Sequence, residues 1–147
     1  MDIDLSQEEL DRLCVLFSKL VVTKVINSPE IKGSTSFLES LFLVNKKCVV
    51  VSATPTKEVK EIVDKRNLSK YFTQVYGSPD SKADNLKSII NKYKIQPSDV
   101  IFFGDANADL EAADKLGISF VGIGEDICKM IDASNKEIYW LKDFLEI

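Results

Sequence analysis

The chain has 147 residues, 45% of them hydrophobic and 29% charged, with a formal net charge of −4. That is the profile of one soluble globular domain large enough for a real core. It excludes a general nucleic-acid binder, which needs a basic field, and no apolar run approaches the roughly 20 residues of a membrane span.

The acidic start, Met1-Asp-Ile-Asp-Leu-Ser-Gln-Glu-Glu, does not read as a signal peptide. Residues 6 to about 27 look helical, with Ser6 as cap and Glu8 and Glu9 in the first turn. Leu10, Leu13, Cys14, Phe17 and Leu20 then recur at helical spacing. The stretch Leu20-Val-Val-Thr-Lys-Val-Ile26 is β-branched and also fits a strand. Ser28-Pro29 breaks the element. Gly33 and Ser34 precede a second helix, with Phe37, Leu38, Leu41 and Phe42 as its apolar residues.

From Cys48 the chain alternates strand and helix. Strands are expected at 48–52, 74–77, 100–103 and 119–123. Helices are expected at 56–66, 80–93, 110–116 and 127–131, and an edge strand at 137–140 precedes a short last helix. Inward faces are expected from Val59, Ile62 and Val63, and from Leu86, Ile89, Ile90 and Tyr93. This alternation implies a mostly parallel sheet covered by helices, an α/β Rossmann-like fold. The one plausible boundary lies near Pro29 to Gly33. It divides a helical segment, residues 1–30, from an α/β core, residues 31–147.

Cys14, Cys48 and Cys128 are odd in number and have no metal-ligand spacing. Cys48 reads as a buried small hydrophobe, and a reducing, cytoplasmic setting fits. The chain has no histidine, so histidine triads, histidine acid–base catalysis and histidine-ligated zinc are ruled out. Chemistry is left to carboxylate, lysine, hydroxyl, backbone and metal.

The segment Val100-Ile-Phe-Phe-Gly-Asp-Ala-Asn-Ala-Asp109 carries the strongest signal. An apolar strand runs into Gly104 and delivers Asp105 and Asp109 at its carboxyl end, where open α/β sheets place ligands. One or two carboxylates completed by phosphate suit Mg²⁺. The plainer alternative is a helix cap at Asp105 and a solvated first-turn acid at Asp109. Ser52, with the Ala53 amide beside it, ends an earlier strand and suits a phosphoryl oxygen near a helix start, or simply a turn. Lys82 opens a helix, where a cation opposes the dipole and calls for another explanation.

Order and context together resemble the haloacid dehalogenase superfamily of phosphohydrolases, the phosphoglycolate-phosphatase-like branch in particular, over roughly residues 33–147. The matching residues are Ser52 at a strand end, Lys82 at a helix start, and Gly104, Asp105 and Asp109 as Gly-Asp-x-x-x-Asp. The resemblance implies a Mg²⁺-dependent phosphatase acting on a small phosphorylated substrate, without nucleic acid or membrane partners. Ser52, Ala53 and Lys82 would hold the phosphoryl group, and Asp105 and Asp109 the metal, with Ser52, Lys82, Asp105 and Asp109 as the catalytic set.

The family's first motif, an apolar strand ending in Asp-x-Asp-x-Thr or Ser with the first aspartate as nucleophile, has no such strand here. Asp2-Ile-Asp-Leu-Ser6 spells it literally but reads better as an amino-terminal cap. Residues 1–28 then resemble the tail of the helical cap insertion. The family's nucleophile strand lies between the strands ending at Ser52 and Gly104, so its absence leaves three solutions. The two strands pair directly, residues 20–26 fill the gap, or another chain adds a strand, as a homodimer or a complementing chain. Function divides accordingly: a truncated phosphatase core of weak or no activity alone, or a non-catalytic relative that binds phosphate, metal or a protein. A receiver-like signalling domain fits less well, because Lys82 precedes Asp105.

Overall fold

A computed structural model of the chain describes residues 5–125 and 138–147. The expected helix at 127–131, Cys128, Asp2, Asp4 and Glu137 lie outside them.

Helix α1, Gln7–Asn27, starts with a reciprocal cap. The Ser6 hydroxyl accepts the Glu9 amide, and the Glu9 carboxylate accepts the Ser6 amide at 2.9 Å. It ends before Pro29, where Arg66 donates to the carbonyls of Val25 at 2.7 Å, Ile26 at 3.2 Å and Ser28 at 2.8 Å. A cation there is favoured by the negative end of the helix. The β-branched stretch 20–26 is therefore helix throughout, because Val22 is buried and the segment is capped at both ends. The apolar residues Leu10, Leu13, Phe17 and Leu20 are 42%, 50%, 69% and 65% exposed. Helical spacing identified the helix correctly but not its buried side. Val22 is its buried residue, and the Ser18 hydroxyl donates at 2.6 Å to Glu58, on a later helix that packs against it.

The core elements follow in alternation: α2 Ser34–Leu43, β1 Cys48–Pro55, α3 Thr56–Lys65, β2 Phe72–Ser78, α4 Lys82–Tyr93, β3 Ile101–Gly104, α5 Asn107–Leu116, β4 Ser119–Ile123 and β5 Tyr139–Leu141. The last helical element is a 3-10 turn, Phe144–Glu146. All strand pairs are parallel, and the fold is α/β as expected. Strand β1 pairs with β2, with Val50 opposite Val75 and Val51 opposite Tyr76. Strands β3, β4 and β5 form a second sheet, with Ile101 opposite Ser119 and Gly104 opposite Gly122.

Strands β1 and β3 do not pair. Two of the three expected solutions for the gap are therefore overturned: the strands have not closed up, and residues 20–26 are spent in α1. One buried cluster still spans both sheets. Leu86 and Ile89 of α4 meet Ala112 and Ala113 of α5 and Ile118, and Val49, Val51, Phe102 and Phe120 pack against them. By strand alternation Phe103 faces the other way. There it meets Phe37 of α2, edge-on at 5.6 Å, and Phe144 at 5.7 Å. On β1 and β2 a separate helix, α3, buries Val59, Ile62 and Val63. Cys48 is half-buried rather than sealed, because it opens β1 at the sheet's rim.

Candidate functional site

Helix α4 follows β2 and α5 follows β3, so their first turns mark the carboxyl ends of both sheets. An ion pair joins them. Lys82 Nζ donates to Asp109 Oδ1 at 2.5 Å, with side chains only 18% and 5% exposed. The second Asp109 oxygen, Oδ2, accepts the Ala106 amide at 3.2 Å, which caps α5 from within. Gly104 makes this fit possible: a Cβ there would collide with the Asp109 side chain. Ser81 caps α4 by accepting the Asp84 amide at 3.1 Å. Asp84 supplies the first-turn acid that offsets Lys82 against the dipole.

Asp105 is exposed at the end of β3 and accepts no hydrogen bond among the described residues. The half-buried Ser52 hydroxyl accepts the Thr54 amide at 3.1 Å, and Ala53 is exposed beside it, both inside β1, which runs on past Ser52 to Pro55. The structure thus brings Lys82 and Asp109 into contact. It places Ser52, Ala53 and Asp105 on the same edge without a hydrogen bond to that pair.

Two residues that brace this edge were not evident from sequence. Thr56 accepts the Gly77 amide at 3.1 Å and donates to the Ser78 carbonyl at 3.2 Å, tying the end of β1 to the end of β2. Asn85, 3% exposed, donates to the carbonyls of Gly77 at 3.3 Å and Asp80 at 3.4 Å, fixing the loop that leads to Lys82. The sequence signal for Asn85 was a polar residue one turn after Lys82, beside the inward-facing Leu86.

The donor set is hard oxygen: Asp105 is open to a ligand, and Asp109 is committed to Lys82 and Ala106. Among the described residues no three acidic, histidine or cysteine side chains converge. Such a set fits Mg²⁺ only when substrate phosphate and water complete the shell. No helix of the described residues is long and apolar enough to cross a membrane.

The profile of the haloacid dehalogenase-like hydrolase family matches residues 6–123. The chain belongs to this family. Among its relatives is a phosphoglycolate phosphatase of Vibrio parahaemolyticus, 29% identical in an alignment covering 75% of this chain and 52% of that protein. A second is the Escherichia coli K12 phosphoglycolate phosphatase, 28% identical in an alignment covering 62% of this chain and 39% of that protein. This haloacid dehalogenase-like chain therefore spans about half, or less, of the length of the curated relatives it matches. The crystal structure of a predicted phosphoglycolate phosphatase from Haemophilus somnus superposes with a TM-score of 0.80 at 20% identity. It covers 97% of this chain and 67% of that one, which establishes a common fold.

Proposed function

We propose that the chain forms the phosphoryl- and Mg²⁺-holding core of a phosphoric monoester hydrolase for a small phosphorylated substrate. The observation that carries this reading is the Lys82–Asp109 pair, which fixes a cation at the joint amino termini of α4 and α5, in the loop region that follows β3 and includes Asp105. Lys82 neutralises a phosphoryl oxygen, Ser52 and the Ala53 amide donate to others, and Asp109 aims the lysine. Asp105 and Asp109 would hold Mg²⁺, and the ion would add positive charge against the phosphoryl oxygens. Residues 1–30 then stand as the remnant of a cap beside the core of residues 31–147. A reducing, cytoplasmic setting suits the free thiols of Cys14 and Cys48.

Ser52, Lys82 and Asp105 position a phosphoryl group but do not attack it, so turnover by this chain alone is weak or absent. That favours a second reading, a relative that binds phosphate and metal without hydrolysis. Mg²⁺-dependent hydrolysis of an aryl phosphate, with Asp105→Asn and Asp2→Asn as controls, tests both. Activity lost in both variants makes Asp2 the nucleophile. Phosphate and Mg²⁺ binding without phosphate release, lost in Asp105→Asn, supports the binding reading. No binding of either ligand rejects both.

A further inference from the structure

We propose that Asn85 is a positioning residue for the phosphoryl site: acting through Gly77, it sets how far Lys82 stands from Ser52 and Ala53 on β1. The inference rests on the phosphoryl-holding reading of that edge and adds to it a buried residue outside the phosphoryl-holding set.

A phosphoryl group held by Ser52, the Ala53 amide and Lys82 needs those groups at a fixed separation. Lys82 opens α4, while Ser52 and Ala53 lie on β1, and among the described residues no hydrogen bond joins them directly. The Gly77 backbone links them instead. Its amide donates to Thr56 Oγ1 at 3.1 Å, at the start of α3 and just past the end of β1. Its carbonyl accepts from Asn85 Nδ2 at 3.3 Å, one turn beyond Lys82 on α4. Gly77 lies so close to the end of β1 that a Cβ would collide with the Thr54 carbonyl and with the Thr56 backbone. Asn85 Nδ2 also donates to the Asp80 carbonyl at 3.4 Å, so one side-chain amide holds both ends of the loop 77–80.

Stability alone does not call for asparagine at this place. Inside a helix its side chain competes with the backbone. It lies with Leu86 and Ile89 on the buried face of α4, where an apolar side chain would extend the core. A buried amide there is costly unless it is hydrogen-bonded. Both of its bonds are long for N–H···O and therefore weak one by one. What they supply together is a fixed placement for a loop whose Pro79 and Asp80 are exposed. The start of α4 is thus anchored in two directions. Lys82 holds it to Asp109 on α5, and Asn85 holds it to Gly77 and, through Gly77, to Thr56. Lys82 cannot move toward or away from Ser52 without straining one of these anchors.

The test compares the full chain with Asn85→Leu, which keeps the size of the side chain but donates nothing, and with Thr56→Val, which removes the other hold on Gly77. Arg66→Ala, at the opposite end of α3 from Thr56, is the control for lost stability alone. Calorimetric titration with inorganic phosphate in the presence of Mg²⁺ gives the affinity. Nitrogen-15 spectra of lysine-labelled protein report the Lys82 ammonium, assigned by its absence from Lys82→Met. Asn85→Leu and Thr56→Val should each weaken phosphate binding on the order of tenfold, and Arg66→Ala by less than about twofold. Asn85→Leu should add little to the loss already caused by Lys82→Met, because it acts through that lysine. The Lys82 ammonium signal should shift in Asn85→Leu and stay in place in Arg66→Ala. Unchanged phosphate affinity in a folded Asn85→Leu, or a loss that adds in full to that of Lys82→Met, overturns the proposal. If Asn85→Leu does not fold, Thr56→Val is judged by the same two criteria. A wild-type chain that binds no phosphate rejects the phosphoryl reading. The ammonium spectrum then decides the placement of Lys82 by itself, and an unshifted signal in Asn85→Leu overturns the role of Asn85.

Discussion

Lys82 and Asp109 form an ion pair of 2.5 Å across the first turns of α4 and α5, and both side chains are largely shielded from water. Removing one partner of such a pair leaves the other as an uncompensated charge, a cost of about 3 kcal/mol. Lys82→Met strands the more deeply buried Asp109. It should therefore lower stability by about that much and more than Asp109→Asn, which keeps the Ala106 cap. Urea unfolding of the three proteins checks the order. Equal midpoints in all three would show that the pair carries no net stability.

Gly104 is held against Asp109 by contact rather than by backbone torsion. In Gly104→Ala the new methyl collides with the Asp109 side chain, which must shift and so strain its bonds to Lys82 and Ala106. The expected loss is about 1–3 kcal/mol, as for other overpacked sites. Gly117 is the comparison: it has a positive φ of 69° but open space around it. Gly117→Ala should cost only the left-handed backbone penalty of about 1–2 kcal/mol, with no effect on phosphate binding. Thermal melts together with phosphate titration separate the two mechanisms. Phosphate binding that is unchanged in Gly104→Ala would break the link from glycine to lysine.

The sequence was most legible where one local pattern decided the outcome. Ser119–Ile123 is a strand with the expected bounds, and Val59, Ile62 and Val63 form the buried face of their helix. It was less legible where a partner from far along the chain decided. The apolar spacing of α1 marked a helix, but which face is covered depends on α3, more than 30 residues away. Asp109 showed itself as an acid near a strand end. That both of its oxygens are taken depends on Lys82, 27 residues earlier, and on the Ala106 amide. Thr56 and Asn85 carried no motif, because their partners are main-chain groups of a neighbouring strand and loop.

Arg66 is the chief tether between α3 and the end of α1. Its guanidinium reaches three carbonyls at the end of α1, of which Val25 also accepts from Ser28. Arg66→Ala should cost about 1.5–3 kcal/mol, the range for hydrogen bonds to a charged group. The fraying should be confined to the last turn of α1. All three bonds leave one nitrogen, Nη1, so Arg66→Lys, whose ammonium also carries three donors on a shorter side chain, should recover part of this. Amide exchange in residues 22–28 is the readout. Unchanged exchange in Arg66→Ala would mean that Pro29 and the Val22 contact fix the helix end unaided.

Burial pushes the Cys48 thiol above the ordinary thiol value of 9.0. The thiolate is the reactive form, so at pH 8 Cys48 should be alkylated much more slowly than the exposed Cys14. Its rate should keep rising with pH beyond 9. The sign for stability follows. A thiol whose pKa is raised by folding holds its proton more tightly in the folded state. The associated stability is present below the unfolded pKa and is lost as pH climbs through the folded one. Site-resolved iodoacetamide labelling across pH 7 to 10 measures both rates. Equal rates for Cys14 and Cys48 at pH 8 would mean that β1 opens at its start faster than the reagent reacts, so that half-burial in the sheet does not shield the thiol.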